Sequence, residues 1–143
     1  MDFYEYDALV LRTVCSGNEN NPIGIEEIIT MADCIYRLIL SHWEVDTGLD
    51  RLIQAGYVIR QNDKFFVSHE VREFVNTKLN RLGTLKQVET LGKFLKIDYS
   101  RHKSLEQFGL EKIISIRQYN EAVDNYKNRF KAHTKTKRNT NNS

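Results

Sequence analysis

Apolar positions recur at helical spacing from the start of the chain. Tyr4, Ala8, Leu11 and Cys15, with Leu9, Val10 and Val14 widening the stripe, predict a first helix over 2–16 that is buried on a broad face. Residues 16–24, SGNENNPIG, contain the chain's single proline and read as a loop. Ile25, Ile28, Ile29, Ala32 and Ile35 or Tyr36 then resume the helical period. A second helix is therefore expected just after Pro22, either running through Leu40 or breaking near Asp33. Ser41 with Glu44 three residues later forms a capping box, so a third helix should begin at His42. Its inner face is Val45, Leu49, Leu52 and Ile53, and Gly56 supplies the left-handed conformation that ends it. Residues 57–60 and 64–67 flank Gln61, Asn62 and Asp63 as the arms of a short antiparallel hairpin.

Beyond the hairpin the pattern is helical again. Val71, Phe74, Val75, Leu79 and Leu82 predict a helix over about 69–82 that Gly83 closes. Thr84 with Gln87 opens another, with Leu85, Val88, Leu91 and Leu95 on one side. Ser104 with Gln107 and Ser115 with Gln118 repeat the capping signature, and a last helix is expected over about 116–131. Ile116, Tyr119, Val123, Tyr126 and Phe130 step by 3, 4, 3 and 4, the seam of a helix that packs along another. Two heptads cannot hold a coiled coil alone, so packing within the chain and dimerisation both stay open. After Lys131 no aliphatic side chain exceeds alanine, and the composition predicts a disordered tail over 132–143. The expected fold class is mainly α with a small β-hairpin.

Composition narrows the class. A chain of 143 residues suits one domain, or a small domain with extra helices. No apolar run approaches the roughly 18–20 residues that span a bilayer, so no membrane partner is expected. The acidic first residues do not resemble an export signal, and two cysteines without metal or redox spacing suit a reducing compartment, which places the chain in the cytoplasm. The net charge of +2 conceals a division: residues 1–70 carry 5 Lys/Arg against 12 Asp/Glu, and residues 71–143 carry 16 against 7. Such asymmetry favours a polyanion at the basic end, or association of unlike halves.

Candidates for other chemistry are few. His42, His69, His102 and His133 lack companions at ligand spacing, so no metal is expected. Cys15 and Cys34 lie on helical apolar faces and read as small buried hydrophobes. No phosphate loop, nucleophile elbow or dinucleotide fingerprint occurs among the seven glycines, so neither enzyme activity nor a cofactor is expected. Trp43 reads as a wedge between the second and third helices or as a partner contact.

Helix, helix, a capped helix ending in LDRLIQAGYV, then the hairpin IRQNDKFFVS: this order over roughly residues 5–70 resembles the winged helix-turn-helix domain of bacterial transcription regulators. The resemblance implies a winged domain over 1–70 and a helical extension over 71–131 that serves dimerisation. It also implies a third helix in the major groove and a wing on the backbone or minor groove. By position, Thr47, Asp50, Arg51 and Gln54 would face bases, and Arg60, Asn62 and Lys64 would sit on the wing. The implied function is a DNA-binding transcriptional regulator, with double-stranded DNA and a second copy of the chain as partners.

The third helix is chemically awkward for that role. Glu44, Asp46 and Asp50 face a polyanion against Arg51 alone, and while the first two suit a cap and a helix dipole, Asp50 has no structural role to explain it. The missing cations lie at the other end. Residues 127–143 contain no acid, and Lys131, Lys135, Lys137 and Arg138 are the expected phosphate contacts, unless the tail is simply a solvated terminus. The alternative function is a winged-helix module that binds a protein partner through the acidic third helix and no DNA.

Overall fold

Three helices converge on the first one in the computed structural model, which describes residues 3–97 and 111–141, with side chains for 5–97 and 111–129. Helix α1 (Phe3–Val14) packs on α2 (Ile25–Tyr36), α3 (His42–Gln54) and α5 (Thr84–Phe94). Ala8, Leu9, Val10, Leu11 and Val14 are all buried. A helix surrounded on several sides must be apolar nearly all round, and the broad stripe in the sequence expresses that requirement. The buried Thr13 satisfies its hydroxyl locally by donating to Val10 O at 2.6 Å.

The described architecture is mainly helical with a two-stranded antiparallel hairpin, as the periodicities predict. Strands β1 (Val58–Gln61) and β2 (Lys64–Val67) pair with Val58 opposite Val67 and Gln61 opposite Lys64, one residue later in the first arm than expected. The turn is therefore only Asn62 and Asp63, and Asn62 takes φ +57°, which asparagine tolerates better than most residues. The loop over 16–24 does more than connect. Ile23 exchanges both backbone hydrogen bonds with Phe65, at 2.9 and 2.7 Å, and adds one paired residue to the edge of β2.

Helix α2 ends at Tyr36, where Arg37 enters the left-handed region at φ +53° and returns its N–H to Asp33 O and Ala32 O. The capping box at α3 forms as expected: Ser41 N donates to Glu44 Oε1 at 2.8 Å, and Glu44 N to Ser41 Oγ at 3.4 Å. Gly56 ends the segment at φ +85°. Helix α4 (His69–Phe74), capped by Ser68, passes into a π turn over Val75–Leu79, so the regular helix expected over 69–82 is broken in two. Gly83 serves as the N-cap of α5 instead of closing the helix before it. The expected Thr84–Gln87 box does not form, because Gln87 accepts from Arg12 Nε at 2.7 Å and donates to Leu82 O at 2.9 Å.

Helix α6 (Ile116–Asn141) opens with the predicted box, Ser115 N to Gln118 Oε1 and Gln118 N to Ser115 Oγ. It continues past Lys131, where the composition predicts disorder. No Gly or Pro interrupts residues 125–141, so a helix already nucleated by packing meets no breaker there. Most of the buried apolar side chains form one cluster from Ala8 to Ile114. Val71, Leu79, Leu91 and Ile114 belong to it, so residues on both sides of the division expected at 70 share a core. No helix among the described residues is long and apolar enough to cross a membrane.

Candidate nucleic-acid interface

Helix α3 carries the four positions expected to face bases. Two of them are inside the protein. Arg51 is 4% exposed and grips the fully buried Asp7 of α1 with both arms of its guanidinium, Nε to Oδ2 and Nη2 to Oδ1, each at 2.8 Å. Thr47 is buried and donates its hydroxyl to Trp43 O. Helix α1 approaches so closely here that a side chain at Gly48 would sit 3.1 Å from Asp7 Oδ1. Gly48 and Arg51, on the side of α3 that the sequence assigns to solvent, therefore face α1.

The remaining acids are engaged by the segment that leads into α6. Asp46 is fully buried and accepts three backbone N–H groups, from Lys112 at 3.2 Å, Ile113 at 2.8 Å and Ile114 at 2.9 Å. A carboxylate has room for several donors, and this one terminates a backbone stretch that no helix or strand would otherwise satisfy. Asp50 lies 3.4 Å from Lys112 Nζ and also accepts from Gln54 Nε2 at 3.0 Å. His42 Nε2 donates to Ile114 O at 2.6 Å, and a carbonyl can only accept, so that nitrogen carries the proton. Residues 111–115 thus cover α3 from outside, with Ile114 in the core. Of the four expected positions only Gln54 is exposed.

The wing keeps its cations on the surface. Arg60 is 40% exposed, donates from Nε to Asn62 O at 2.9 Å and lies 3.6 Å from Asp63. Its other arm reaches Ile113 O at 3.4 Å, so the wing also touches the covering segment. Asn62 and Lys64 are exposed. The wing offers two cations and one acid within a few residues, a weak field by itself.

Helix α6 lies antiparallel on α2. Tyr119 Oη donates to Leu40 O at 2.5 Å, Tyr126 Oη to Asp33, and Arg129 pairs with Glu26. Two of the expected dimer-seam residues, Tyr119 and Tyr126, therefore serve an intramolecular seam, while Val123 is half-buried and Ile116 is 48% exposed. Ala122, the most buried side chain of this face, lies outside the expected set. Its spacing of three from Tyr119 and four from Tyr126 was the available signal.

By Arg129 the helix has reached the start of α2, so the backbone over 130–141 runs on beyond that neighbour. At 3.6 residues per turn Lys127, Lys131, Lys135 and Arg138 fall on one face. No Asp or Glu follows Asp124. The side chains of Phe130, Lys131, His133, Lys135, Lys137 and Arg138 lie outside the described residues, as do His102 and the Ser104–Gln107 motif.

The other candidates have structural places. Trp43 meets Tyr6 of α1 edge-on at 6.1 Å. Cys15 is buried, and burial pushes its thiol up to about 11. Cys34 is exposed, contrary to the buried reading, because α2 turns it away from α1. No group of three or more His, Cys, Asp or Glu among the described residues could hold a metal ion. No protein family, curated protein or solved structure matches the chain.

Proposed function

We propose that the chain is a non-enzymatic, cytoplasmic DNA-binding protein of winged-helix type, a regulator of transcription that grips phosphates with the basic end of α6 and not with α3. The order on which the resemblance rests, helix, helix, capped helix and hairpin, is the order of the described elements. The observation that carries the reading is the continuation of α6 past α2 as an acid-free helix with four cations on one face. Double-stranded DNA carries about one charge per 1.7 Å of axis, and cations that displace its counterions supply sequence-independent affinity. The wing cations Arg60 and Lys64 add to that field.

In this reading α3 is structural. Its acids do not repel the ligand, because the capping box at Ser41 and residues 112–114 already engage them. The same engagement disfavours the alternative, in which an acidic α3 binds a basic protein partner. A second copy of the chain would meet this one elsewhere than on Tyr119 and Tyr126. Anisotropy of labelled mixed-sequence duplex DNA, titrated with the full chain and with a chain ending at Lys131 over a series of salt concentrations, tests the proposal. Loss of Lys135, Lys137 and Arg138 should make the log-affinity slope against log salt shallower by roughly 2–3, at about 0.9 per phosphate. Equal slopes for the two chains, or no binding by the full chain at low salt, would overturn it.

A further inference from the structure

The second charged surface of interest lies on the opposite side of α1 from α3, and it encloses space. A cavity of about 710 Å³ opens between α1, α5 and the end of α2. That is within the roughly 300–1,000 Å³ of small-molecule sites. Leu9, Tyr36, Leu38, Leu85 and Val88 line it. Leu85, 81% exposed, is the most exposed large apolar side chain among the described residues and stands at this opening.

We propose that this cavity is a binding site for a small amphipathic monoanion, an apolar body of acyl or aromatic type bearing one carboxylate. The anion's partner is Arg37, which stands at the rim. Arg37 occupies the left-handed position that ends α2, φ +53°, where glycine would avoid the strain an L side chain incurs. Its backbone N–H caps the helix, a task that any residue but proline performs. The side chain has no hydrogen bond or ion pair with a described residue, so the strained position carries an unengaged guanidinium at the mouth of an apolar chamber. Tyr36, in the wall, has a buried hydroxyl with no partner among the described residues.

The acids of the rim define the limit of charge. Glu89 lies 3.5 Å from Lys93, which offsets it, and Glu5 stands on the α1 side. Together they disfavour a second negative charge on the ligand, which is why the site suits a monocarboxylate and not a phosphate ester. The arrangement is independent of the DNA reading, since none of its residues belongs to α6 or the wing.

The test uses the full chain with 1-anilinonaphthalene-8-sulfonate as fluorescent probe, displaced by decanoate or by decanol. Decanoate should displace the probe at a concentration ten-fold or more below that needed for decanol, the factor expected of one charge-assisted hydrogen bond. Arg37→Gly, which relieves the backbone strain, should melt no lower than the natural chain and lose that preference. Val88→Phe, which fills the cavity from α5, should weaken both competitors ten-fold or more. Equal competition by the acid and the alcohol, an unchanged preference in a folded Arg37→Gly variant, or probe binding indifferent to Val88→Phe would each overturn the proposal.

Discussion

Helices α3 and α6 carry opposite charge, and the protein treats the two in opposite ways. Every ionised group on the polar side of α3 has an internal answer: Glu44 in the capping box, Asp46 under three backbone N–H groups, Asp50 beside Lys112, Arg51 on Asp7. The far part of α6 runs on from Arg129, which pairs with Glu26 at the start of α2, and has no acid of its own after Asp124. A run of charge in a sequence therefore does not announce its use. Buried charge must be paired, because leaving it unpaired in a poorly polarisable interior costs several kcal/mol.

Removing the Asp7–Arg51 pair should break the comparison most severely. Asp7→Ala or Arg51→Ala leaves a buried partner uncompensated and should destabilise the fold by about 3–5 kcal/mol, read from urea denaturation. If α3 instead presented Arg51 to solvent, the loss would stay within roughly 0.5 kcal/mol. Asp46→Ala comes next. It orphans the N–H groups of Lys112, Ile113 and Ile114 and should cost about 1–3 kcal/mol, with faster amide exchange at those three residues than elsewhere in the core. Exchange unchanged there would mean that the segment over 111–115 is held by its other contacts, the burial of Ile114 and the hydrogen bond of His42 to Ile114 O among them.

The contrasting change is the chain ending at Lys131. On the proposed reading its urea midpoint should move little while its affinity for duplex DNA falls. A midpoint that dropped sharply would place the tail among the structural groups, beside the acids of α3.

The seam between α6 and α2 should show itself at high pH. Tyr126 is raised to about 12, first by its hydrogen bond to Asp33 and then by burial, above the ordinary value of 10.0. The folded form keeps a proton that the unfolded form loses, so this contribution is complete below about pH 10 and declines as pH rises toward 12. Tyr126→Phe should be slightly less stable at neutral pH and show a smaller decline across that window, measured by thermal melts. The smallest effect is chemical. A thiol reagent at pH 8 should modify the exposed Cys34 promptly and Cys15, whose thiol burial raises to about 11, only at the rate of unfolding. Equal rates would put Cys15 on the surface.

Much of the fold was legible because its signals are local. The boxes at Ser41 and Ser115, the stop at Gly56 and the hairpin arms each depend on residues within a few positions of one another. The π turn after α4 and the pairing of Ile23 with Phe65 were not legible, since the first adjusts a helix to its neighbours and the second joins residues 42 positions apart. The expected base-facing set shows the same limit. Periodicity placed Leu49 and Leu52 correctly inside, but it could not place Thr47 and Arg51 there, because polar residues are buried only when a specific partner exists elsewhere.

By itself the sequence determined most of the helices, the caps at Ser41 and Ser115, the hairpin and the division of charge between the two halves. These follow from nearest-neighbour backbone chemistry and from counting. Only the tertiary structure decided which charges are available. Asp7 meets Arg51 across 44 residues, and Asp46 meets the backbone of residues 112–114 across more than 60. A hydrogen bond depends on distance and direction in space, and linear order specifies neither until the chain has packed.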